Sequence, residues 1–259
     1  MSQSAPDVGS TFIEPVAEVL FQLPGVEAVA LGGSRAQGTN GPESDWDIAL
    51  YYRDKFEPQH VRDIGWPGRL TEPGGWGRVF NGGGKLSVDG QEIDIHYRDL
   101  GLIEEIHDDA LRGEFVIEPL LFHQAGLPTY ILLAELGVNK VLRGELPQWN
   151  YPSELRRAAP PVWWGRADPT LSYAAGHARH GRVAQCAGLL SEAACETAHA
   201  ILSHRGEWVT NEKQLLNMAG LHGIDDIVAE MSSESQSLID AVTRARALFM
   251  AELQPDRFS

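Results

Sequence analysis

Lysine is scarce in this chain. There are four in 259 residues, and Lys and Arg together number 21 against 36 Asp and Glu, so the formal net charge is −15. No basic run interrupts this balance. A protein that grips a phosphate backbone gains affinity from cations that neutralise phosphates, so long nucleic acids are excluded as expected partners. A nucleotide stays admissible because a metal ion neutralises it locally, and a cationic small molecule would be drawn to such a field. Cysteine is nearly absent too. Cys186 and Cys195 lie nine positions apart in a helical-looking stretch, which matches neither a disulfide framework nor a zinc site. They read as free thiols in a reducing cytoplasm. No apolar run approaches the ~20 residues that span a bilayer. The opening "MSQSAPDVGSTF" lacks a basic region followed by an apolar core, so no signal peptide or membrane partner is expected. Internal repeats and low-complexity segments are also missing.

What is present is a chain long enough for one large domain or two modest ones. Residues 12 to 23, "FIEPVAEVLFQL", carry helical apolar spacing and stop at Pro24-Gly25. "GVEAVALGG" then reads as a buried strand ending in paired glycines, and "DWDIALYY" over 45 to 52 as another strand. Residues 65 to 84, dense in Gly, Pro and Trp, read as a long loop. In "KLSVDGQEIDIHYRDL" the Asp89-Gly90 pair between two β-like runs predicts a hairpin. Residues 101 to 112 look helical, and "FVIEPLLFHQAGLPTYILLAELGVNKVL" shows helical spacing broken at Gly-Leu-Pro. From 171 onward the chain is Ala- and Leu-rich with helical periodicity, interrupted near "HRGEWVTNEK" and "GLHGIDD". An N-terminal α/β part therefore meets an all-helical part near residue 120.

The stretch "LGGSRAQGTNGPESDWDIALYY", residues 31 to 52, concentrates the chemistry. A strand ending in Gly32-Gly33-Ser34 lets backbone N–H groups approach a phosphate unobstructed, with the Ser34 hydroxyl as a further donor. Asp45 and Asp47 are two positions apart, so on a strand both carboxylates share one face while Trp46 and Ile48 turn to the other. Paired carboxylates repel unless a divalent cation neutralises them. In "EIDIHY" Asp94 sits between Ile93 and Ile95 and can supply a third carboxylate from a neighbouring strand. Glu92 and His96 share its face, so either is an alternative for that role.

These three elements, in this order and spacing, resemble the signature of the DNA polymerase β-like nucleotidyltransferase superfamily over residues 25 to 98. The resemblance assigns Gly33 and Ser34 to a phosphate-binding turn, Asp45 and Asp47 to a metal pair, and Asp94 to the third ligand. In the C-terminal half "RGEWVTNEKQLLNMAGL" resembles a segment of bacterial small-molecule nucleotidyltransferases, aminoglycoside-type resistance enzymes included. Lys213 matches the lysine that reaches the triphosphate there. Asn211 and Glu212 read as helix caps.

The resemblance implies an α+β fold with a mixed β-sheet flanked by helices and a C-terminal all-helical domain. Residues 1–120 form the catalytic domain, and 121–259 a helical domain closing the cleft. It further implies two Mg²⁺ ions on Asp45, Asp47 and Asp94, and transfer of AMP from ATP to a small-molecule hydroxyl with release of pyrophosphate. The acceptor class would include antibiotics. Two other readings are a toxin–antitoxin nucleotidyltransferase acting on a protein or tRNA, and a non-catalytic nucleotide-binding module. Trp66, Trp76 and Phe80 are candidates to stack on a base or as local core. Trp163-Trp164 read as an interdomain cluster and Asp225-Asp226 as a helix start, while Arg35 is the nearest N-terminal candidate for charge beside the leaving pyrophosphate, or else faces solvent. His123, His177, His180, His199 and His204 show no common metal-ligand spacing and read as surface or satisfied core histidines.

Overall fold

A computed structural model describes residues 8–41 and 44–253. The chain runs α1 (Val8–Phe21), β1 (Val26–Leu31), α2 (Gly33–Gln37), β2 (Trp46–Tyr52), α3 (Pro58–Arg62), β3 (Gly68–Leu70), α4 (Gly77–Phe80), β4 (Gly83–Val88), β5 (Gln91–Asp99) and α5 (Leu100–Leu111). It continues through β6 (Ile117–Leu120), β7 (His123–Pro128), α6 (Ile131–Val138), β8 (Lys140–Gly144), α7 (Ser153–Ala178), α8 (Val183–Arg205), α9 (Leu215–Ala219), α10 (Ile224–Ala229) and α11 (Ser235–Leu253). Among the described residues no helix is long and apolar enough to cross a membrane. The chain packs as two units, one comprising residues up to His107 with Leu132–Trp149, the other Asp108–Ile131 with Asn150 onward. It therefore crosses between units three times, where the sequence suggested one cut at 120.

The first unit is built on a six-stranded mixed sheet ordered β3-β4-β5-β2-β1-β8. Only the central β2–β5 pair is parallel; the other neighbours are antiparallel. One face of β2 and β5, with Trp46, Ile48, Leu50, Ile93, Ile95 and Tyr97, packs in a single core with Ile13, Val16, Ala17 and Leu20 of α1. Strand alternation turns Asp47, Asp94 and His96 to the opposite face, where each is half-buried. Asp89-Gly90 does form a two-residue hairpin: Val88 pairs with Gln91, and φ is positive at both turn residues, as a type I′ turn requires.

Two stretches fold differently from their reading. Residues 65 to 84 are not one loop but contain β3, α4 and the start of β4. Their glycines are packing devices: a Cβ on Gly83 would lie 1.9 Å from the Ile95 carbonyl oxygen, and one on Gly84 1.9 Å from that of Arg69. The run from 115 to 142 contains the hairpin β6–β7 before α6 and β8. Its dense apolar positions satisfy both the helical and the strand period. Thr129 helps hold the hairpin, because its backbone N–H donates to the Val116 carbonyl and its hydroxyl accepts from the Val116 N–H.

In the second unit Leu155, Ala159, Trp163, Ala167, Leu171, Ala174 and Ala178 form the buried stripe of α7, spaced to keep one helical face. Trp163 is not an interdomain residue. It is fully buried inside this unit, donating to the Tyr130 hydroxyl at 2.8 Å and stacking on His199 at 4.3 Å. His199 is a core histidine but not a satisfied one, since its Nε2 is buried without a hydrogen-bond partner among the described residues. Both cysteines are free and buried on α8. Asp225 and Asp226 do occupy the first turn of α10.

Candidate active site

The acids are organised by the turn that precedes them. At the end of β1 the Gly32 N–H donates to the Asp47 carbonyl at 2.8 Å. Gly33 follows with φ +60°, and a Cβ there would stand 1.9 Å from Asp47 Oδ2. A Cβ there would force the Asp47 carboxylate to move, so glycine at 33 is what lets Asp47 keep its position. Ser34 lies one residue on, half-buried in the first turn of α2.

Arg35 does not face solvent. Its guanidinium donates to the Ser44 carbonyl at 2.7 and 3.0 Å and to the Asp45 carbonyl at 3.1 Å. It also lies 4.0 Å from the centre of the Trp46 ring, a distance at which a cation is attracted to the aromatic face. Arg35 thus braces the backbone leading into the Asp45–Asp47 pair.

Strand pairing then aligns the chemistry in one row. Asp47 is opposite Asp94 in the parallel β2–β5 register, and Asp94 is opposite Lys85 across the β4–β5 hairpin. The Lys85 ammonium stands 3.1 Å from Glu92, 3.7 Å from Asp94 and 3.8 Å from Asp45. His96 Nε2 is 3.6 Å from Asp47 Oδ1, and the exposed Trp76 ring meets His96 edge-on at 6.0 Å. Side-chain exposure falls from 55% at Asp45 through 33% at Asp47 to 27% at Asp94. Burial pushes the Asp94 carboxyl above its usual range, against the opposing pull of Lys85 and His96. Behind the row, the buried Arg98 is held by Glu135 at 2.5 and 2.7 Å and donates to the Phe80 and Tyr97 carbonyls.

Asp45, Asp47 and Asp94 are therefore brought to one face. Of the alternatives to Asp94, Glu92 is engaged by Lys85 and His96 faces Asp47. Among the described residues no three His, Cys, Asp or Glu side chains are gathered closely enough to hold an ion as they stand; Lys85 provides positive charge in their midst instead. The donor set itself, carboxylate oxygens on a partly open face, suits a hard cation such as Mg²⁺. Lys85 and the Arg98–Glu135 pair escaped the sequence reading, and Arg35 was given a different role. A signal for Lys85 was present: counting outward from a two-residue turn at 89–90 sets 85 opposite 94.

Lys213 lies in the second unit, in the segment just before α9. Its side chain is exposed, and its backbone N–H donates to Asn211 Oδ1 at 3.0 Å. Glu212 is not a helix cap. Its carboxylate accepts the Gln124 and Ala125 N–H groups of β7 at 2.7 and 3.0 Å, tying this segment to the β6–β7 hairpin.

Residues 13–120 match the model of the nucleotidyltransferase domain family. No curated protein matches the chain. Among solved structures it is similar to a nucleotidyltransferase-like protein from Exiguobacterium sibiricum 255-15. That match has 9% identity and a TM-score of 0.45, and covers 95% of this chain and 78% of the other.

Proposed function

We propose that the chain transfers a nucleoside monophosphate, AMP from ATP, to a hydroxyl of a small-molecule acceptor and releases pyrophosphate. The observation that carries this reading is the in-register pairing of Asp47 with Asp94 behind a glycine that only a missing side chain allows. It lies inside the segment that matches the nucleotidyltransferase domain.

In this reading Asp45, Asp47 and Asp94 would hold two Mg²⁺ ions, which when bound neutralise phosphate oxygens and stabilise the entering and leaving oxygens of an in-line displacement. The chain's own residues do the rest. Gly33 and Ser34 receive the phosphates on backbone N–H groups and a hydroxyl. Asp94 takes the acceptor proton as the acceptor oxygen bonds to the α-phosphorus. The bond from that phosphorus to the bridging oxygen breaks, and pyrophosphate leaves with the electron pair. Arg35 keeps the strand entry carrying Asp45 in place. Lys213, supported by the resemblance of its segment, contacts the triphosphate on the leaving side as a compact point charge.

The acceptor is a small molecule, cationic and of aminoglycoside type in the first instance, because a surface of net charge −15 draws cations and repels polyanions. The deciding experiment incubates the protein with Mg²⁺, each NTP and mixtures of hydroxylated amines, antibiotics included. Pyrophosphate release and a nucleotide-sized mass gain on an acceptor are expected. A gain on tRNA or protein instead would move the acceptor class; no product with any NTP would remove the reading.

A further inference from the structure

The catalytic reading leaves Lys85 without a task, although its ammonium stands among the acids. Its position is set by backbone register rather than by chance of a surface side chain: β4 places it opposite Asp94, which is itself opposite Asp47. The stem is fixed there while the head, 46% exposed, remains free to swing. Only Glu92, at 3.1 Å, is within hydrogen-bond reach; Asp94 and Asp45, at 3.7 and 3.8 Å, are held by charge alone. So the ammonium has one firm anchor and two contacts it can give up. The next residue out in the row, Arg69, is opposite Lys85 on β3 and has no ion pair among the described residues.

Carboxylates that already share an ammonium within 4 Å offer less to an incoming cation, since the ion must either displace that charge or sit beside it. We propose that Lys85 is a tethered counter-ion that keeps the divalent-metal affinity of the nucleotide-free site low, so that metal enters together with the triphosphate. The triphosphate brings the negative charge that the ammonium needs in exchange. With Asp45 and Asp94 engaged by an incoming cation, Lys85 would turn from them toward the phosphate oxygens while keeping its contact with Glu92. This inference rests on the nucleotidyltransferase reading of the same site.

The test is Mn²⁺ binding, followed by the electron paramagnetic resonance signal of the free ion, on nucleotide-free protein and again with ATP. Lys85→Met should raise nucleotide-free affinity at least about tenfold, the order expected for removing one charge this close to the ligands. Lys85→Arg, which keeps the charge, should stay near wild type, and Arg69→Met should change binding less than about threefold. ATP should tighten Mn²⁺ binding more in wild type than in Lys85→Met. If Lys85→Met binds Mn²⁺ like wild type while Asp47→Asn loses binding, the counter-ion role is overturned and the site reading survives. If no protein binds Mn²⁺ with or without ATP, the site reading falls and this inference falls with it. Lys85→Gln provides a second neutral variant at this exposed position, and thermal melts verify that each protein is folded.

Discussion

The two units differ in where their main polar clusters lie, although the first also buries the Arg98–Glu135 pair. In the first, Asp45, Asp47, Asp94, Lys85 and His96 sit half-open on one sheet face, each within reach of another. In the second, the polar groups at the centre are sealed. Glu196 is 1% and His199 5% exposed, one Glu196 oxygen is unpaired among the described residues, and burial raises that carboxyl's pKa while driving the His199 imidazole's down to about 3. A reachable row of ions can bind and exchange partners, whereas a sealed group keeps the partners it folds with, as one Glu196 oxygen keeps Arg166 at 3.0 Å. On the function proposed above, the chemistry belongs to the first unit and the core of the second has a structural task.

The strongest way to break this contrast is at the metal pair. Asp45→Asn or Asp47→Asn should lower turnover by at least ~10²–10³ with little change in melting temperature, because each removes a charge and not a core contact. Near wild-type turnover in either would end the assignment. Gly33→Ala comes next. Its Cβ collides with the Asp47 carboxylate and its φ is unfavourable for any side chain, so we expect about a tenfold to hundredfold loss of kcat and a modest stability cost of ~1 kcal/mol. An alanine variant with full kcat would show that Asp47 can work from elsewhere.

Lys213→Ala sharpens the comparison from the helical side. If the lysine meets charge that develops on the leaving pyrophosphate, kcat falls and acceptor KM stays constant; a purely ground-state contact would raise nucleotide KM alone. Unchanged kcat and unchanged nucleotide KM would return it to the solvent. The smallest expected effect concerns His199. Its folded pKa is lowered, first by burial and then by the charge of His123. The fold therefore favours neutral imidazole: that stability is complete above the unfolded pKa of ~6.5 and lost as pH falls below it, by up to about 1.4 kcal/mol per pH unit. Denaturant melts from pH 7 to 5 on wild type and His199→Phe should show a shallower fall in the variant. Equal slopes would place the acid sensitivity elsewhere.

Much of the first unit was legible because its signals are local. A glycine pair, alternating acids and Asp89-Gly90 each specify their own few residues, and strand alternation alone puts Asp47 and Asp94 on the non-core face. What stayed hidden depends on pairing across the chain. Glu135 meets Arg98 only after α6 is folded back. Arg35 meets the Ser44 and Asp45 carbonyls, nine and ten positions on, only in the folded chain. The hairpin β6–β7 was misread because an apolar run rich enough to fit two periods chooses between them by tertiary contacts. Glu212 resembled a cap because its true partners, the Gln124 and Ala125 N–H groups, are distant in sequence.

The most direct measurement sets the two kinds of acid against each other. Pyrophosphate release from ATP and an identified acceptor should be compared for Asp94→Asn, in the open row, and Glu196→Gln, in the sealed core. The account predicts that Asp94→Asn loses at least ~10² in kcat with its melting temperature kept. It predicts that Glu196→Gln keeps kcat whatever its effect on melting. An Asp94→Asn protein that turns over like wild type, or a folded Glu196→Gln protein that does not turn over, would contradict it.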